Sequence, residues 1–458
     1  MTQRASTPPN APGASGVPNA PREAGPLRVF ARGAANFDSG FESLRRRGEA
    51  RDGEAAEAAQ RIVADVRARG AAAVLDWTQR LDGARPAELE VGADEWRAAC
   101  ERVPPPRRRA LETAAARVRH FHQQRLPRSW RMRDPLGADL GQRVRPLHRA
   151  GVYVPGGKAS YPSTALMNAL PAAVAGVPQI CMATPPAADG SLRDEVLLAA
   201  RIAGVHRVFR MGGAQAVAAL AYGAGPVPAV DKIVGPGNAY VQAAKRLVFG
   251  AVDIDSEAGP TEVLVVADET ARAAWVAADL LSQAEHEEGA SALLLTHAES
   301  LPAQVNAALR PQLAACARAE IARAALAQSG AAFVTRDLAH SLSLADRYAP
   351  EHLVLAVANP EAALAQIANA GTVFLGHYTP VAVGDYLAGP NHVLPTGGTA
   401  RFFSPLGAED FLKRSAFVHF EAKALRALGD CVMQLAELEG FPAHGASVAQ
   451  RLSAQEEN

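Results

Sequence analysis

Residues 207–223 read RVFRMGGAQAVAALAYG, and residues 231–248 read DKIVGPGNAYVQAAKRLV. In each stretch a short apolar run ends in a glycine turn, and an alanine-rich helical pattern follows at once. A strand, a glycine turn and a helix in this order form half of a βαβ unit, the repeat from which parallel sheets are built. The two stretches therefore predict an α/β fold with parallel sheets.

The same alternation of strands and helices continues on both sides of these stretches. It begins near Arg149, and a further helix is predicted from about Ala271 to His286. The pattern predicts two α/β domains of similar style. The predicted strands include residues 152–154, 180–183, 208–211, 232–234, 263–266, 292–295 and 373–375.

The two ends of the chain differ from this α/β part. Residues 1–27 are rich in Pro, Ala, Gly and Ser and lack large apolar groups, so we predict a disordered tail. Residues 49–124 place apolar side chains at helical spacing, and a helical pattern returns after about Ala408. We therefore expect helical N- and C-terminal extensions.

Composition excludes several classes of protein. The 458-residue chain carries 47 basic and 47 acidic residues, whereas nucleic-acid-binding proteins usually show a basic excess. The sequence contains neither an apolar stretch long enough to span a bilayer nor an apolar signal core. The four cysteines are scattered without a Cys-x-x-Cys pair, which is typical of proteins in a reducing cytosol. We expect a cytoplasmic protein with no nucleic-acid or membrane partner.

The glycine turns are candidate anion sites. The helix after each turn begins with unpaired N–H groups and a partial positive charge, which suit a phosphate. Amide side chains follow in both turns, at Gln215 and Asn238. Neither turn is a complete G-x-G-x-x-G, and no acidic residue stands clearly at the end of the next strand, where a ribose partner is expected. A nucleotide site and two turns without a ligand both fit this pattern.

Two pairs of residues are candidates for metal binding and proton transfer. Gln283 and His286 are three apart in a predicted helix and so point from one face, where imidazole and amide can bind a cation. Glu351 and His352 are adjacent before an apolar run, and such a pair can take a proton from an alcohol and activate a water. A helix-end histidine beside solvated acids and a capped turn entering a strand are the alternatives.

A third group of polar residues lies nearer the C-terminus. The segment GDYLAGPNHVLPT, residues 384–396, places Asp385, Asn391 and His392 in a loop that contains glycine and proline. A loop with this composition indicates a site more than packing. Glu439 and His444 follow in the last helical segment and would, taken alone, be surface residues.

Eight strings, in order and near the expected spacing, closely resemble the histidinol dehydrogenase family. The resemblance extends from about Ser43 to the C-terminal helix. The strings are GVYVPGGKASYPSTALMNALPA, GGAQAVAALAYG, VDKIVGPGNAYV, AGPTEVLVVAD, DLLSQAEHE, YAPEHL, GDYLAGPNHVLPT and FSPLGAEDFLKR.

The resemblance implies a role for each candidate residue. It implies four zinc ligands, namely Gln283, His286, Asp385 and His444. It implies that Glu351 and His352 are catalytic and that NAD contacts Tyr153, Gln215 and Asn238. Substrate contacts are implied for Thr261, His392 and Glu439, together with the four ligands and His352. Position 261 departs from the more usual Ser, but Thr keeps the hydroxyl.

The resemblance also implies an activity and an assembly. The activity is a zinc-dependent, NAD-linked four-electron oxidation of L-histidinol through L-histidinal to L-histidine, the last steps of histidine biosynthesis, with one Zn²⁺ per site. The assembly is an intertwined homodimer with shared active sites. Two Rossmann-like domains are expected: residues 28–152 plus 261–406, which carry the metal and catalytic residues, and residues 153–260, on the NAD side. Residues 407–458 are expected to form a helical tail that reaches the partner's site.

Three other functions fit parts of the pattern. A zinc hydrolase could use the same ligands and Glu351 to activate water, but it leaves both glycine turns unexplained. A related dehydrogenase could oxidise another alcohol, such as a sulfonated diol, although Glu439 and His392 suit an ammonium-bearing substrate better. The third is a metal-binding scaffold without catalytic activity.

Overall fold

The computed structural model of the chain describes residues 25–48, 53–156 and 160–453, so residues 1–24 of the predicted tail lie outside it. The chain divides into two compact units. The first comprises the described residues within Met1–Ala50, Pro260–Val381 and Thr396–Phe402. The second comprises those within Arg51–Gly259, Ala382–Pro395 and Phe403–Asn458.

The strands are numbered in chain order. They are β1 (Arg28–Phe30), β2 (Trp130–Arg133), β3 (Asp139–Pro146), β4 (Arg149–Tyr153), β5 (Gln179–Thr184), β6 (Arg207–Arg210), β7 (Lys232–Val234), β8 (Asp253–Ile254), β9 (Glu262–Ala267), β10 (Ser291–Thr296), β11 (Gly330–Val334), β12 (His352–Ala356), β13 (Thr372–Leu375) and β14 (Leu412–His419).

The α-helices are numbered in the same way. They are α1 (Phe37–Arg45), α2 (Gly53–Arg69), α3 (Ala71–Asp82), α4 (Ala93–Arg102), α5 (Pro105–Gln123), α6 (Pro162–Ala175), α7 (Asp194–Ala203), α8 (Gly213–Tyr222), α9 (Ala239–Val248), α10 (Ala273–Ala284), α11 (Leu301–Ala315), α12 (Ala319–Ser329), α13 (Leu338–Tyr348), α14 (Pro360–Leu364), α15 (Val381–Tyr386), α16 (Ala422–Leu438) and α17 (Pro442–Ser453).

The first unit is built on a parallel sheet with the strand order β1-β11-β10-β9-β12-β13. Alternate side chains of β9 point to opposite faces. Val263 and Val265 pack with α10, α11 and α12, whereas Leu264 and Val266 pack with α1 and α13. Helices on both faces explain why the central strands are continuous apolar runs rather than alternating ones.

The second unit contains a parallel sheet with the order β6-β5-β4-β7-β8. The two glycine turns that define the fold follow β6 and β7 and lead into α8 and α9, as predicted. They therefore lie at the carboxyl edge of the sheet, where ligands usually bind in open α/β sheets. Parallel sheets in both units confirm the predicted α/β class.

The domain boundaries differ from those predicted. Residues 28–152 were expected to belong with the metal-side domain, but the described residues after Arg51 group with the second unit. The reason is the packing of α2, whose side chains Ile62, Val63 and Val66 share a core with α8 and α9. The helical pattern of this segment was correct, but a helical pattern does not say which sheet the helices cover.

The second unit also contains a small antiparallel sheet with the order β14-β3-β2, which the sequence did not predict. Residues 412–419 were expected to be part of a helical tail, and instead they pair with β3 from Leu412↔Pro146 to His419↔Asp139. Nearly every residue of β14 is exposed, so its two faces lack the apolar alternation that identifies a half-buried strand. The helical prediction holds in α16 and α17.

The disordered tail was predicted to include residues 1–27, which extends at least one residue too far. Leu27 is fully buried in the core of the first unit. The side chain of Asn306 bonds its backbone on both sides, accepting from Leu27 N over 2.8 Å and donating to Leu27 O over 3.2 Å. This single buried leucine follows a proline-rich stretch, and composition alone gave no indication of it.

Within the described ranges, none of the helices is both long and apolar enough to cross a membrane.

Candidate functional site

Glu351 and His352 lie at the amino end of β12, beside the amino end of β9, which Thr261 precedes. Both members of the pair are buried. Thr261 Oγ1 donates to Glu351 Oε2 over 2.7 Å, and His352 Nδ1 lies 3.4 Å from the same oxygen. The backbone N–H of Glu262 also donates to Glu351 Oε2, over 2.7 Å. The structure therefore brings the predicted catalytic pair and the predicted substrate-binding hydroxyl into one cluster.

The hydrogen-bond partners of His352 indicate which of its ring nitrogens carries the proton. Nδ1 lies 2.9 Å from the backbone oxygen of Glu262, which can only accept, so the proton is on Nδ1. Nε2 is then the unprotonated nitrogen and is the one able to act as a base. The amide nitrogen of Gln283 lies 3.0 Å from Nδ1, but with the proton on Nδ1 both groups are donors, so no hydrogen bond joins them.

The amide of Gln283 is held in one orientation by its neighbours. Because Thr261 Oγ1 gives its hydrogen to Glu351, it can only accept from Gln283, and Gln283 Nε2 lies 2.9 Å away. Gln283 Oε1 therefore points the other way. The residue is 1% exposed, and Oε1 has no hydrogen-bond partner among the described residues. A buried acceptor without a donor is costly, and a bound cation would relieve that cost.

His286 also presents an available ligand atom. The helix α10 ends at Ala284, so His286 lies in the turn after the helix. The sequence had predicted that His286 lies within the helix. Its Nδ1 lies 2.9 Å from the carbonyl oxygen of Ser282, which places the proton on Nδ1 and leaves Nε2 bare. A histidine whose other nitrogen donates to a backbone carbonyl is the usual arrangement at a metal. His286 and Gln283 thus fit a cation that accepts nitrogen and oxygen ligands.

The carboxylate of Glu262 supports this cluster from behind. Arg47 donates to it from Nε over 2.7 Å and from a terminal nitrogen over 2.6 Å. Backbone N–H groups of Gly397 and Glu351 donate to it as well, over 2.6 and 3.3 Å. The guanidinium of Arg47 lies 3.5 Å from the centre of the Tyr348 ring. Neither Arg47 nor Glu262 was predicted from the sequence to belong to the site, although the string AGPTEVLVVAD contains Glu262.

Tyr153 and Gln215, the predicted NAD contacts, meet at the first glycine turn of the second unit. Tyr153 ends β4, and its hydroxyl accepts from the backbone N–H of Gly213 over 3.1 Å. Burial raises the pKa of Tyr153 to about 12. Gln215 is in the first turn of α8 and is fully buried. Gly213 has φ +59°, which favours glycine at this position.

Asp82 joins these two residues and was missed by the sequence analysis. It is the last residue of α3, and its Oδ2 accepts from Gln215 Nε2 over 3.4 Å. Burial raises the pKa of Asp82 to about 6. The two residues are 133 positions apart, so the pattern around either one gave no signal of the contact.

The second glycine turn is fixed by a buried ion pair. Lys245 on α9 pairs with Asp255, and its Nζ donates to Gly235 O over 3.1 Å. Asp255 accepts from the N–H of Gly235 over 2.7 Å. Gly235 has φ +125°, and a side chain there would collide with the backbone of Tyr153. Asn238, the third predicted NAD contact, caps α9 by accepting from Val241 N over 3.1 Å.

Asp385 and His392 lie together in the second unit. His392 Nδ1 lies 2.9 Å from the carbonyl oxygen of Asp385 and therefore donates to it. The other ring nitrogen, Nε2, is 3.3 Å from Thr164 Oγ1 on α6. Asn391 is buried, and its side chain donates to Met167 O over 2.6 Å. The loop thus combines a packing residue with two residues predicted to form the site.

Glu439 and His444 occupy the connection between α16 and α17 and are exposed. The same segment carries exposed apolar side chains, with Leu435 at 59%, Leu438 at 82% and Phe441 at 53% exposure. In the described part of this single chain, no group of three or more His, Cys, Asp or Glu side chains is positioned to hold a metal. The predicted convergence of four zinc ligands therefore stays a prediction.

A family model described as histidinol dehydrogenase matches residues 45–452. The chain belongs to the histidinol dehydrogenase family. The resemblance that the eight strings indicated is confirmed, and with it an oxidoreductase family associated with NAD and a metal.

Known histidinol dehydrogenases match the chain over most of their length. The protein of Geobacter sulfurreducens is 51% identical over 420 residues, which cover 91% of this chain and 98% of that protein. The protein of Bordetella parapertussis is 51% identical over 399 residues, with 86% and 90% covered. A crystal structure of histidinol dehydrogenase from Elizabethkingia anophelis has a TM-score of 0.90 at 33% identity and covers 95% of this chain and 100% of that chain.

Replacing Thr261 tests whether its hydroxyl orients the amide of Gln283. Thr261→Val keeps the shape but removes the acceptor for Gln283 Nε2, whereas Thr261→Ser keeps it. We expect Thr261→Val to weaken zinc binding about 10- to 100-fold, the usual effect of losing a partner of a metal ligand, and Thr261→Ser to bind like the wild type. Titration of zinc against a competing chelator measures the affinities. Equal affinity in all three proteins would contradict the assignment.

Proposed function

We propose that this protein oxidises L-histidinol through L-histidinal to L-histidine, with NAD as oxidant and one zinc ion per site, in the last steps of histidine biosynthesis. The observation that carries the proposal is the cluster of Thr261, Glu351, His352 and Gln283, in which the imidazole of His352 has its proton on Nδ1 and a buried amide oxygen of Gln283 lacks a donor among the described residues. Histidinol is proposed as the substrate because the relatives of this chain carry the name histidinol dehydrogenase. A biosynthetic reaction in the cytoplasm also suits the four free cysteines.

His352 is the proposed base. Its Nε2 takes the proton of the substrate hydroxyl while the hydride on the same carbon leaves to NAD, so that the alcohol becomes an aldehyde. The carbonyl of Glu262 holds the Nδ1 proton and stabilises the imidazolium that forms. Phe374, whose ring centre is 5.9 Å from that of His352, helps to keep water away from the ring.

Glu351 has its proposed role in the second oxidation. A water adds to the aldehyde carbon, and one of its protons passes by way of Glu351 to the former carbonyl oxygen, which gives the hydrated aldehyde. Glu351 Oε2 is already held by Thr261 and the Glu262 N–H, so the carboxylate is fixed in position to accept a hydrogen bond from this water. After releasing its first proton to solvent, His352 can take a hydroxyl proton of the hydrate while a second NAD would accept the hydride, which gives the carboxylic acid. The acid then ionises to the carboxylate at neutral pH.

Gln283 and His286 would hold the zinc, with Asp385 of the same chain and the partner subunit's His444 completing the set. Bound zinc would anchor the nitrogen donors of the substrate and so position the reacting carbon. Oxygen from an amide and a carboxylate, together with two imidazoles, is a donor set that zinc accepts. The exposed Glu439 carries a negative charge suited to the substrate ammonium, and His392 is proposed as a further substrate contact.

Tyr153, Gln215 and Asn238 are the proposed NAD contacts. Two observations support this position. Both glycine turns lie at the carboxyl edge of their sheet, and the amino ends of α8 and α9 follow them directly. The Lys245–Asp255 pair fixes the second turn, which suits a loop that must present backbone N–H groups to a ligand.

The activity is tested by a steady-state assay with L-histidinol and NAD. We expect two NADH per histidine formed, complete loss after treatment with a strong chelator, and recovery when zinc is added back. The expected stoichiometry follows from two hydride transfers at one site. Absence of NADH formation by the zinc-loaded protein would contradict the proposal, and release of hydrolysis products without NADH would favour a zinc hydrolase instead.

Sharing of the site between subunits is tested by mixing two inactive variants. His352→Asn disables the base, and His444→Ala removes the ligand assigned to the partner's site. If the tail crosses over, a mixed dimer has one intact site, so refolding an equal mixture restores about a quarter of wild-type activity. If each chain completed its own site, both sites of the mixed dimer would be damaged and activity would stay absent.

A further inference from the structure

We propose that Asp82 binds the ribose of the adenosine half of the cofactor and excludes a 2′-phosphate, and so makes the enzyme select NAD over NADP. The inference rests on the proposed function only in taking Tyr153 and Gln215 as the NAD site. It supplies the acidic ribose partner that the sequence lacked at the end of the neighbouring strand, and it takes that partner from a helix outside the βαβ units.

The position of Asp82 is set by the end of α3. Gly83 follows with φ +73°, a left-handed cap that ends the helix and turns the chain away. The carboxylate thus remains at the helix end, half-buried and within reach of the first turn of α8. Asp82 accepts a hydrogen bond from Gln215 Nε2, and Gln215 lies two positions after Gly213, whose N–H donates to the Tyr153 hydroxyl. Residues from α3, β4 and α8 therefore meet at one place.

Asp82 differs from its neighbours in having no cationic partner. Asp76 on the same helix pairs with Arg69 and Arg85 at 2.8 Å. No ion pair of Asp82 occurs in the described part of the chain, and burial alone raises its pKa. A half-buried carboxylate with one long hydrogen bond costs free energy unless a ligand supplies donors. The two hydroxyls of a ribose are neutral donors at the right spacing for one carboxylate.

Two buried polar atoms beside Asp82 extend the same argument. Thr78 lies one helical turn before Asp82 on α3, so the two share a face. Thr78 Oγ1 and Gln215 Oε1 belong to fully buried residues, and within the described ranges neither atom has a hydrogen-bond partner. Gln215 Oε1 and the carboxylate of Asp82 can only accept hydrogen bonds, and Thr78 Oγ1 can accept as well as donate. Ligand hydroxyls suit such a cluster, whereas a phosphate, which brings only acceptors at neutral pH, does not.

The charge at this place also opposes a phosphate. NADP-binding sites usually place an arginine where the 2′-phosphate lies. Here no basic side chain shifts the pKa of Asp82, since burial is the only cause. The N–H of Gly213, which begins α8, is already used by the Tyr153 hydroxyl. A 2′-phosphate would therefore face a carboxylate with no cation to offset the repulsion.

Two variants test the proposal. Asp82→Asn removes the charge with almost no change in shape, and Asp76→Asn removes the same charge from another partly exposed position on the same helix. Binding of NADH and NADPH is measured at pH 8 by nicotinamide fluorescence, and kcat and KM are measured with histidinol and either NAD or NADP. The third probe is NADH that lacks the 2′-hydroxyl of the adenosine ribose.

We expect Asp82→Asn to weaken NADH binding, to strengthen NADPH binding, and so to shift the preference at least tenfold, a change typical of one hydrogen bond to a charged group. Asp76→Asn should match the wild type. The 2′-deoxy probe should bind about tenfold more weakly than NADH to the wild type but less than threefold more weakly to Asp82→Asn, because the acceptor strength of the carboxylate is gone.

Three results would overturn the proposal. The first is an unchanged preference of Asp82→Asn for NADH over NADPH. The second is an equal loss of NADH and NADPH binding in Asp82→Asn, which a contact with the other ribose would give. The third is a shift in cofactor preference in Asp76→Asn as large as that in Asp82→Asn. Each is distinguishable from failure of the proposed function. In that case the wild-type protein would bind neither dinucleotide and form no NADH from histidinol.

Discussion

The buried carboxylate of Glu262 accepts hydrogen bonds from Arg47 and from the backbone of Gly397 and Glu351. Removing one partner of such a buried pair typically costs about 3–5 kcal/mol, because the other charge stays buried without compensation. The ion pair between Arg47 and Glu262 does not contact the atoms that we assign to the reaction. It fixes the backbone from which Glu351 and His352 extend, so the geometry of the whole cluster depends on it.

The two units use opposite edges of their parallel sheets. In the second unit the glycine turns lie at the carboxyl edge, as in most open α/β sheets. In the first unit Thr261 and His352 lie at the amino ends of β9 and β12. The helix α10 runs back from the far end of β9 and so brings Gln283 to this same amino edge.

The sequence predicted the strands and turns well because their patterns are local. Two glycine turns followed by alanine-rich helices were enough to predict the parallel sheet that contains Tyr153. Contacts between distant segments were not predictable from such patterns. Asp82 lies beside Gln215 only because α3 packs on α8. In the same way, α2 belongs to the second unit because it packs on α8 and α9. The strand β14 was missed for a different reason, since both of its faces are largely exposed.

The account depends most on the claim that Gln283 Oε1 is left without a donor because it binds a cation. An anomalous difference map, recorded at the zinc absorption edge from crystals of the zinc-loaded protein, tests this directly. The account predicts one peak per site at roughly 2.0–2.2 Å from Gln283 Oε1 and from His286 Nε2. A zinc peak bound elsewhere, with the Gln283 amide oxygen bonded to a protein donor or a water, would contradict it.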